Sequence, residues 1–461
     1  ENVRYFLNLV GYACERNSGG GGVGGNINLN VPILKQTDPQ WAEMEYDSGN
    51  NQKLWCGGDT GNNIAQCGCV LTSSAMVLQY FGIDKDPLGR PTNPLTLNEY
   101  LKQGQKCSNL GCVSKGYAYG KVLWNAISVF SADANKVFGT QKIVFSRGGN
   151  YSYQATLEDI IAERPVILQN SAETHWILAT GSTADTFTIN DPLFNRTTLA
   201  DVAYGNTAKQ MRTYKKTASD FSSFEATSKW PTQLLVTDPD GRRAGFDPQT
   251  NSVLEEIPNS FYFFERAHAG IENADDPALD GTYSVIINTP EHDKYDVQTI
   301  APLGTKYSFA VHATDRDAGI DFNIFEANQP GTDNIYSFNY NPEPISETKF
   351  SMEISIDILP LLTKNIILSR LRYLIPVGIY SSNTFDANRI DKSTIKFGKS
   401  GAEDSLSFCF QINLNNDEFK DITCLFKSWK TGLGKDDSQG ILTAKTIDDI
   451  SVKGSDIIKV F

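Results

Sequence analysis

The sequence predicts an α+β protein in which one mixed domain precedes two all-β domains. Its 461 residues exceed what a single hydrophobic core normally serves, so several domains are expected. Helix signals are confined to the first half of the chain, where they alternate with strand signals. Later the chain consists of short strands at regular spacing, separated by Pro, Gly, Asp and Asn, which is typical of β-sandwiches. We predict an N-terminal segment with a Gly-rich linker at residues 1–28, the mixed domain at 29–217, a β-sandwich domain at 230–345 and a C-terminal β-rich domain at 346–461.

Charge and hydropathy narrow the class of partners. The net charge is −13 and no block of Lys or Arg occurs, which disfavours a nucleic-acid partner, because phosphate binding needs clustered positive charge. No apolar run reaches the roughly 18 residues that a membrane helix needs, so we expect no membrane span. An acidic chain of ordinary globular composition, 40% hydrophobic and 21% charged, fits an extracellular or cell-surface protein.

The local structure of three stretches of the mixed domain can be predicted from their sequence. "CVLTSSAMVLQYFG" has apolar residues at helical spacing, so it predicts a helix that starts near Cys69 and stops at Gly82. "LEDIIAERPVILQN" predicts a short helix that is broken at Pro165 and followed by a strand. "HWILATGSTADTFTIND" alternates around a Ser-Thr-Ala-Asp turn and predicts a β-hairpin.

The eight cysteines fall mostly into local pairs. The expected bridges join residues that are close in sequence, and they are Cys56–Cys67, Cys107–Cys112 and Cys409–Cys424. Three such bridges imply an oxidising compartment. Cys14 and Cys69 are then left without a local partner.

Cys69 has the sequence context of a reactive thiol. It stands at the start of the predicted helix, where the positive end of the helix dipole favours a thiolate. His175 is the only histidine in the first 260 residues, and it opens the hairpin whose second strand ends at Asp191. Folding the hairpin brings these two ends side by side, so the carboxylate would orient the histidine. A cysteine, then a histidine, then an acid on the next strand is the layout of papain-like hydrolases.

The same residue types also occur in purely structural roles. Many structural cysteines begin helices, and His175 beside Trp176 is also what a half-buried, hydrogen-bonded histidine looks like. A zinc site built from Cys56, Cys67 and Cys69 would lack a fourth ligand at the usual spacing. A serine hydrolase is disfavoured because no G-x-S-x-G motif occurs.

Four stretches together resemble a known peptidase family. They are "VPILKQTDPQW", "IAQCGCVLTSSAMVLQYFG", "RPVILQNSAETHWILATG" and "FTINDP". In this order they are similar to the secreted form of the bacteriocin-processing, double-glycine (C39-like) peptidases, which have a papain-like fold. The resemblance implies Cys69 as the nucleophile, His175 as the general base and Asp191 as the residue that orients the histidine. It also implies a glutamine in the oxyanion hole, for which Gln36 is the first candidate and Gln66, closer to the cysteine, is the alternative.

The C-terminal β regions resemble sandwich modules of bacterial exported proteins. In the last of them "NLNNDEFKD" is similar to a calcium loop with oxygen ligands at alternate positions. The implied ligands are Asn413, Asn415, Asp417 and Asp421. Asn replaces the first Asp of that pattern and Glu418 replaces its turn Gly, so a solvated hairpin turn bridged by Cys409–Cys424 is the alternative.

These observations predict a secreted bacterial cysteine peptidase that hydrolyses peptide or isopeptide bonds. Catalysis would require no cofactor, and a structural calcium ion is the one candidate metal. The expected partners are peptide or protein substrates, with cell-surface proteins or glycans bound by the accessory β domains. The alternative is a catalytically inactive cell-surface structural or adhesive protein that uses the papain-like domain for binding.

Overall fold

The computed structural model describes residues 26–47, 63–266, 281–327, 333–344, 349–360 and 362–461. The chain divides into two compact units. The first holds the described residues 26–47, 63–104, 120–218 and 265–266, and the second holds 105–119, 219–264 and the described residues from 281 onward. Most of the predicted N-terminal segment and linker lies outside the described residues. In the described ranges, the helices lack the length and apolarity that a membrane span requires.

The α-helices of the described residues all belong to the first unit. They are α1 Ile64–Cys67, α2 Cys69–Tyr80, α3 Pro94–Leu101, α4 Trp124–Phe138 and α5 Tyr153–Ile161. Two short 3-10 helices occur at Ala387–Arg389 and Ser428–Lys430. The strands are, in chain order, β1 Ile27–Asn28, β2 Lys106–Ser108, β3 Gly111–Val113, β4 Tyr117–Ala118, β5 Lys121–Val122, β6 Lys142–Asn150, β7 Val166–Gln169, β8 Trp176–Thr183, β9 Thr186–Asn190, β10 Gln210–Thr217, β11 Ser223–Lys229, β12 Gln233–Thr237, β13 Arg243–Asp247, β14 Ser252–Glu255, β15 Ser260–Arg266, β16 Gly281–Asn288, β17 Asp293–Ile300, β18 Ser308–Thr314, β19 Ile320–Glu326, β20 Asn334–Tyr340, β21 Phe350–Glu353, β22 Ile356–Ile358, β23 Ile366–Ile367, β24 Leu374–Ile379, β25 Ile390–Gly398, β26 Leu406–Ile412, β27 Asp421–Lys427, β28 Gln439–Thr446, β29 Ser451–Ile457 and β30 Lys459–Val460.

The first unit is an antiparallel sheet covered by helices. The strand order is β1-β8-β7-β10-β6, and β9 also pairs with β8. Both α2 and α5 pack on β7 and β8, and α4 packs on β6. Nearly every residue of β7 and β8 is buried. Because successive strand residues point to opposite faces, the centre of this sheet is covered on both sides.

The helix predicted from "CVLTSSAMVLQYFG" is α2, and most of its residues are buried. The apolar positions Leu71, Ala75 and Leu78 are fully buried, and so are most of the residues between them. A helix that is buried all round belongs in the core rather than on the surface. It ends at Tyr80, and Gly82 follows with a φ of +78°, a left-handed conformation that suits glycine and stops the helix where the sequence predicts.

A buried charge cluster stabilises the first unit. The Glu265 carboxylate accepts hydrogen bonds from Arg212 at 2.5 Å and from Trp124 Nε1 at 2.9 Å, and Lys121 Nζ lies 3.2 Å from its other oxygen. The three charged residues are at most 2% exposed. Burial by itself would raise the pKa of Glu265, but the charges of the two cations lower it overall. The carboxylate is therefore ionised at neutral pH.

The second unit is built from β-sheets. The strand orders are β15-β16-β11-β18-β19 in a five-stranded sheet, β14-β13-β12-β17-β20-β21-β29-β28-β25 in a nine-stranded sheet, β22-β24-β27-β26 in a four-stranded sheet and β23-β30 in a pair. One hydrophobic core runs through these strands from Phe224 to Val460.

A division of the C-terminal half into two β domains is not confirmed. The predicted boundary between residues 345 and 346 falls within the second unit, between β20 and β21, which pair with each other. Strand β21 also pairs in parallel with β29, nearly a hundred residues further along the chain. Strands from both predicted domains therefore form one sheet, and their apolar faces share one core.

The segment 105–119 also groups differently from the prediction, which placed it in the mixed domain. It forms the hairpin of β2 and β3 and belongs to the second unit. The Asn109 N–H donates to Glu326 at 3.1 Å, and His312 Nε2 lies 2.9 Å from the carbonyl oxygen of Ser114. These contacts to β19 and β18 explain the grouping, and no local pattern in the sequence signals them.

Candidate active site

Cys69 is the first residue of α2 and is the free cysteine of the described residues. Its side chain is 6% exposed. At Gly68, just before it, an added Cβ would lie 2.5 Å from the backbone oxygen of Ile64, so the turn between α1 and α2 needs glycine. Asn63 caps α1 by accepting the Gln66 N–H at 3.1 Å. This short capped helix and tight turn place the thiol at the positive end of the α2 dipole.

The β8–β9 hairpin brings His175 and Asp191 together. His175 immediately precedes β8 and Asp191 immediately follows β9, in a register that places Leu178 opposite Asn190. His175 Nε2 lies 2.8 Å from Asp191 Oδ1. Asn170 fixes the backbone of His175, since its side chain accepts the His175 N–H at 3.1 Å and its own N–H donates to the His175 carbonyl at 2.9 Å.

Both carboxylate oxygens of Asp191 are hydrogen-bonded although the residue is fully buried. Oδ1 also accepts the backbone N–H groups of Leu193 at 2.9 Å and Phe194 at 3.0 Å, and Oδ2 accepts the hydroxyl of Tyr204. Burial by itself would raise the pKa of Asp191, but the hydrogen bond and charge of His175, together with the other donors, lower it overall. The carboxylate is therefore an ionised and firmly oriented partner for the histidine.

The His175 ring is buried between two groups that favour its protonated form. Burial would lower its pKa, but interactions with Asp191 and Cys69 raise the pKa to about 9. Because Nε2 contacts Asp191, Nδ1 is the ring nitrogen left for the thiol, and it has no hydrogen-bond partner among the described residues. The Phe194 ring packs edge-on against the imidazole at a centroid distance of 5.7 Å.

Gln36 lies between the chain segments that carry Asp191 and Cys69. It is fully buried, and its backbone N–H donates to the Pro192 carbonyl at 2.8 Å. Its side-chain Nε2 donates to the carbonyl of Ala65 at 2.5 Å, four residues before the cysteine. An amide nitrogen carries two hydrogens, and this contact uses one of them.

Gln66, the alternative glutamine, has a different environment. It lies within α1, is only half-buried, and its backbone N–H is used by the Asn63 cap. By contrast, the sequence neighbour of Gln36 contacts the Asp191 turn: Lys35 Nζ donates to the backbone carbonyls of Asp191 at 2.7 Å and of Phe194 at 2.6 Å. The segment that carries Gln36 is thus bound directly to the turn after Asp191, and the choice between Gln36 and Gln66 stays a prediction.

Sequence reasoning missed Lys35, Asn170 and Tyr204, all of which contact the His175–Asp191 pair. Lys35 stands inside the "VPILKQTDPQW" stretch, so the motif contained a signal for it. Asn170 could have been suspected from its place in the turn between two predicted strands. Tyr204 lies in a stretch without periodicity or motif, and only the folded chain places it on Asp191.

The described disulfides are local, as the sequence predicts for these pairs. Cys107–Cys112 joins opposite positions of β2 and β3, and Cys409–Cys424 joins opposite positions of β26 and β27. Cys67 is disulfide-bonded as well. Its predicted partner Cys56 lies outside the described residues, as does Cys14.

The structure places the predicted calcium loop between β26 and β27. Asn413 Nδ2 donates to the Asp417 carbonyl at 2.6 Å, and Asn415 Nδ2 donates to Asp417 Oδ2 at 2.7 Å. Asp421 is fully buried, and its Oδ1 and Oδ2 accept backbone N–H groups, at 2.9 Å from Ser381 and at 2.8 Å from the residue after Asn413. Both oxygens of Asp421 therefore already accept a backbone hydrogen bond, and its role as a calcium ligand stays a prediction. In the described ranges, no group of three His, Cys, Asp or Glu side chains is arranged to hold a metal ion.

Calcium binding by Asn413, Asn415, Asp417 and Asp421 stays a prediction with a direct test. If these oxygens hold the ion, millimolar calcium should raise the melting temperature, because a ligand that binds only the folded state stabilises it. Magnesium at the same concentration is the control. Calorimetric titration without heat, together with an unchanged melting temperature, would contradict calcium binding.

Comparison with known proteins supports the interpretation of this region. Residues 28–227 match the Peptidase_C39 like family, so the resemblance to C39-like peptidases is confirmed for this part of the chain. Among solved structures, a Bacillus anthracis protein assigned as a C39-like peptidase aligns at 16% identity over 42% of this chain and 100% of that chain. Its TM-score is 0.25, too low to support any argument about the site. No curated protein is significantly similar to the chain.

The family match indicates a papain-like domain of the cysteine-peptidase type in the N-terminal part of the chain. The rest of the described chain is largely β-strand.

Proposed function

We propose that the chain is a secreted cysteine peptidase in which Cys69, His175 and Asp191 form the catalytic triad. The observation that supports it is the buried His175–Asp191 pair beside a free thiol at the N-terminal end of α2. The family match suggests this activity and implies peptide or protein substrates. The disulfides accord with an extracellular location, because such bonds persist in oxidising compartments.

The reaction is acyl transfer to sulfur followed by hydrolysis. Because interactions with Asp191 and Cys69 raise the pKa of His175 to about 9, its ring is an imidazolium at neutral pH and pairs with the sulfur of Cys69. The thiolate attacks the substrate carbonyl carbon, and the developing oxyanion accepts hydrogen bonds from Gln36 Nε2 and from N–H groups at the start of α2. The imidazolium gives its proton to the leaving amine as the C–N bond breaks, which leaves a thioester.

Water completes the cycle. Neutral His175 now accepts a proton from water as its oxygen attacks the thioester carbonyl, and the carboxylic acid leaves as the C–S bond breaks. Asp191 stays ionised throughout and stabilises the imidazolium. The thiolate–imidazolium pair is restored, so no cofactor is required. The β unit serves in surface attachment or substrate binding.

Alkylation of Cys69 tests this proposal. With iodoacetamide at neutral pH and peptide mass spectrometry, the wild-type thiol should react rapidly, and His175→Ala should slow it by about 10-fold or more. His292→Ala is the matched control, because this histidine is exposed. A wild-type Cys69 that does not react would contradict the proposal and favour the inactive, adhesive protein.

The pH profile gives a second prediction. Above about pH 9 the His175 imidazolium loses its proton, so kcat/KM should fall as pH rises through that value. Asp191→Asn should move this alkaline limb to lower pH, because the carboxylate raises the pKa of His175. The raised pKa of His175 also contributes to the free energy of unfolding. This contribution is fully present below about pH 6.5, the pKa of an unfolded histidine, and is lost as pH rises through the pKa of His175 in the folded protein. An alkaline limb that Asp191→Asn does not move would contradict the assignment.

A further inference from the structure

The Asp191 carboxylate has a partner that the triad chemistry does not use. Its Oδ1 faces His175 and two backbone N–H groups, so three donors hold this oxygen. Its Oδ2 faces away from the histidine and accepts the hydroxyl of Tyr204. Tyr204 is 4% exposed and its ring is part of the apolar core beneath the sheet, so the hydroxyl is held in a fixed place.

The Tyr204 hydroxyl is itself oriented by a cation. Arg196 Nη1 donates to the phenol oxygen at 3.4 Å, and its guanidinium lies over the rings of Phe194 at 4.2 Å and Tyr204 at 5.2 Å. Since the oxygen accepts from Arg196, its own hydrogen is directed to Asp191. Burial and the neighbouring carboxylate raise the pKa of Tyr204, so the phenol remains a donor at working pH.

We propose that Tyr204 is a positioning residue of the active site, which acts on His175 through Asp191 Oδ2. This inference rests on the proposed function. Three donors hold Oδ1, but without Tyr204 the second oxygen would be a buried charge without a donor, which is costly. The Tyr204 hydroxyl supplies that donor, so the carboxylate stays ionised and keeps the orientation in which Oδ1 contacts the histidine. Tyr204 is buried in the core of the first unit and contacts the carboxylate rather than His175 itself.

Tyr204→Phe tests this role, because it removes one oxygen and keeps the ring. We expect kcat to fall roughly 10- to 100-fold with KM unchanged, the range expected from a lost hydrogen bond to a buried charge. The pKa of the Asp191 carboxyl, followed by carbon-13 NMR, should rise, since the hydroxyl lowers it in the native protein. Tyr153→Phe is the matched control: its ring packs on Phe187 in the same unit and is partly exposed. This control should change neither quantity.

Two outcomes overturn the inference. One is an Asp191 carboxyl that titrates at the same pH in Tyr204→Phe as in the wild type. The other is a loss of activity that appears in KM rather than in kcat. If the wild-type protein cleaves no peptide, the proposed function fails while the carboxyl titration still decides whether Tyr204 acts on Asp191. If Tyr204→Phe does not fold, the wild type provides the test: the Tyr204 hydroxyl proton should exchange slowly, and rapid exchange overturns the inference.

Discussion

Replacing Cys69 by Ala is expected to lower kcat/KM for peptide hydrolysis by about 10⁴-fold or more, because no nucleophile remains. His175→Ala should lower kcat/KM by a similar factor. Without the imidazolium, no group stabilises the thiolate and no group protonates the leaving amine. The two residues act as a unit, so the double variant should be no worse than the poorer single variant. Initial rates with a fluorogenic peptide library would measure all three.

Two controls make this result specific. His292→Ala changes an exposed histidine and should leave kcat/KM unchanged. Each variant should also be shown to be folded at the assay temperature, by circular dichroism and a melting curve, so that the loss reports on chemistry rather than on folding. Peptide hydrolysis that persists in purified Cys69→Ala protein would contradict the nucleophile assignment.

Glu265→Gln is expected to destabilise the first unit by about 3 kcal/mol, the order of magnitude for breaking a buried ion pair. The change removes a negative charge that both Arg212 and Lys121 contact. Urea unfolding followed by tryptophan fluorescence is a suitable measurement, because Trp124 donates to this carboxylate.

The matched control for this change is Glu255→Gln on the exposed strand β14, which should shift the free energy of unfolding by less than about 0.5 kcal/mol. The sign of the pH effect follows from the lowered pKa of Glu265. Its contribution is present above about pH 4.3 and is lost as pH falls through the folded pKa. A destabilisation equal to that of the control would show that the cluster contributes no stability.

The elements that are visible in the sequence are those set by local pattern. The helical spacing of Leu71, Ala75 and Leu78 predicts α2, and Gly82 predicts where it stops. The hairpin argument places His175 beside Asp191, because two strands joined by a tight turn return to the same end. In both cases, the residues that form the sequence pattern also form the structure that the pattern predicts.

The features that could not be predicted depend on contacts between distant segments. Alternation shows that β21 and β29 are strands but does not show that they pair in parallel, so the sequence predicts two domains where the folded chain has a shared sheet. Likewise, neither Tyr204 nor Glu265 belongs to a motif, and each has its role only because folding places it against a charged group.

The order in which the chain visits its two units limits how the protein can be divided. It changes unit at residues 105, 120, 219, 265 and 281, so neither unit is one continuous stretch. A gene fragment covering only residues 29–217 would keep the disulfide hairpin 105–119 without β18 and β19, and would omit Glu265. Two cuts in the gene therefore cannot excise the first unit whole, because the residues that complete it lie on both sides of segments that belong to the second unit.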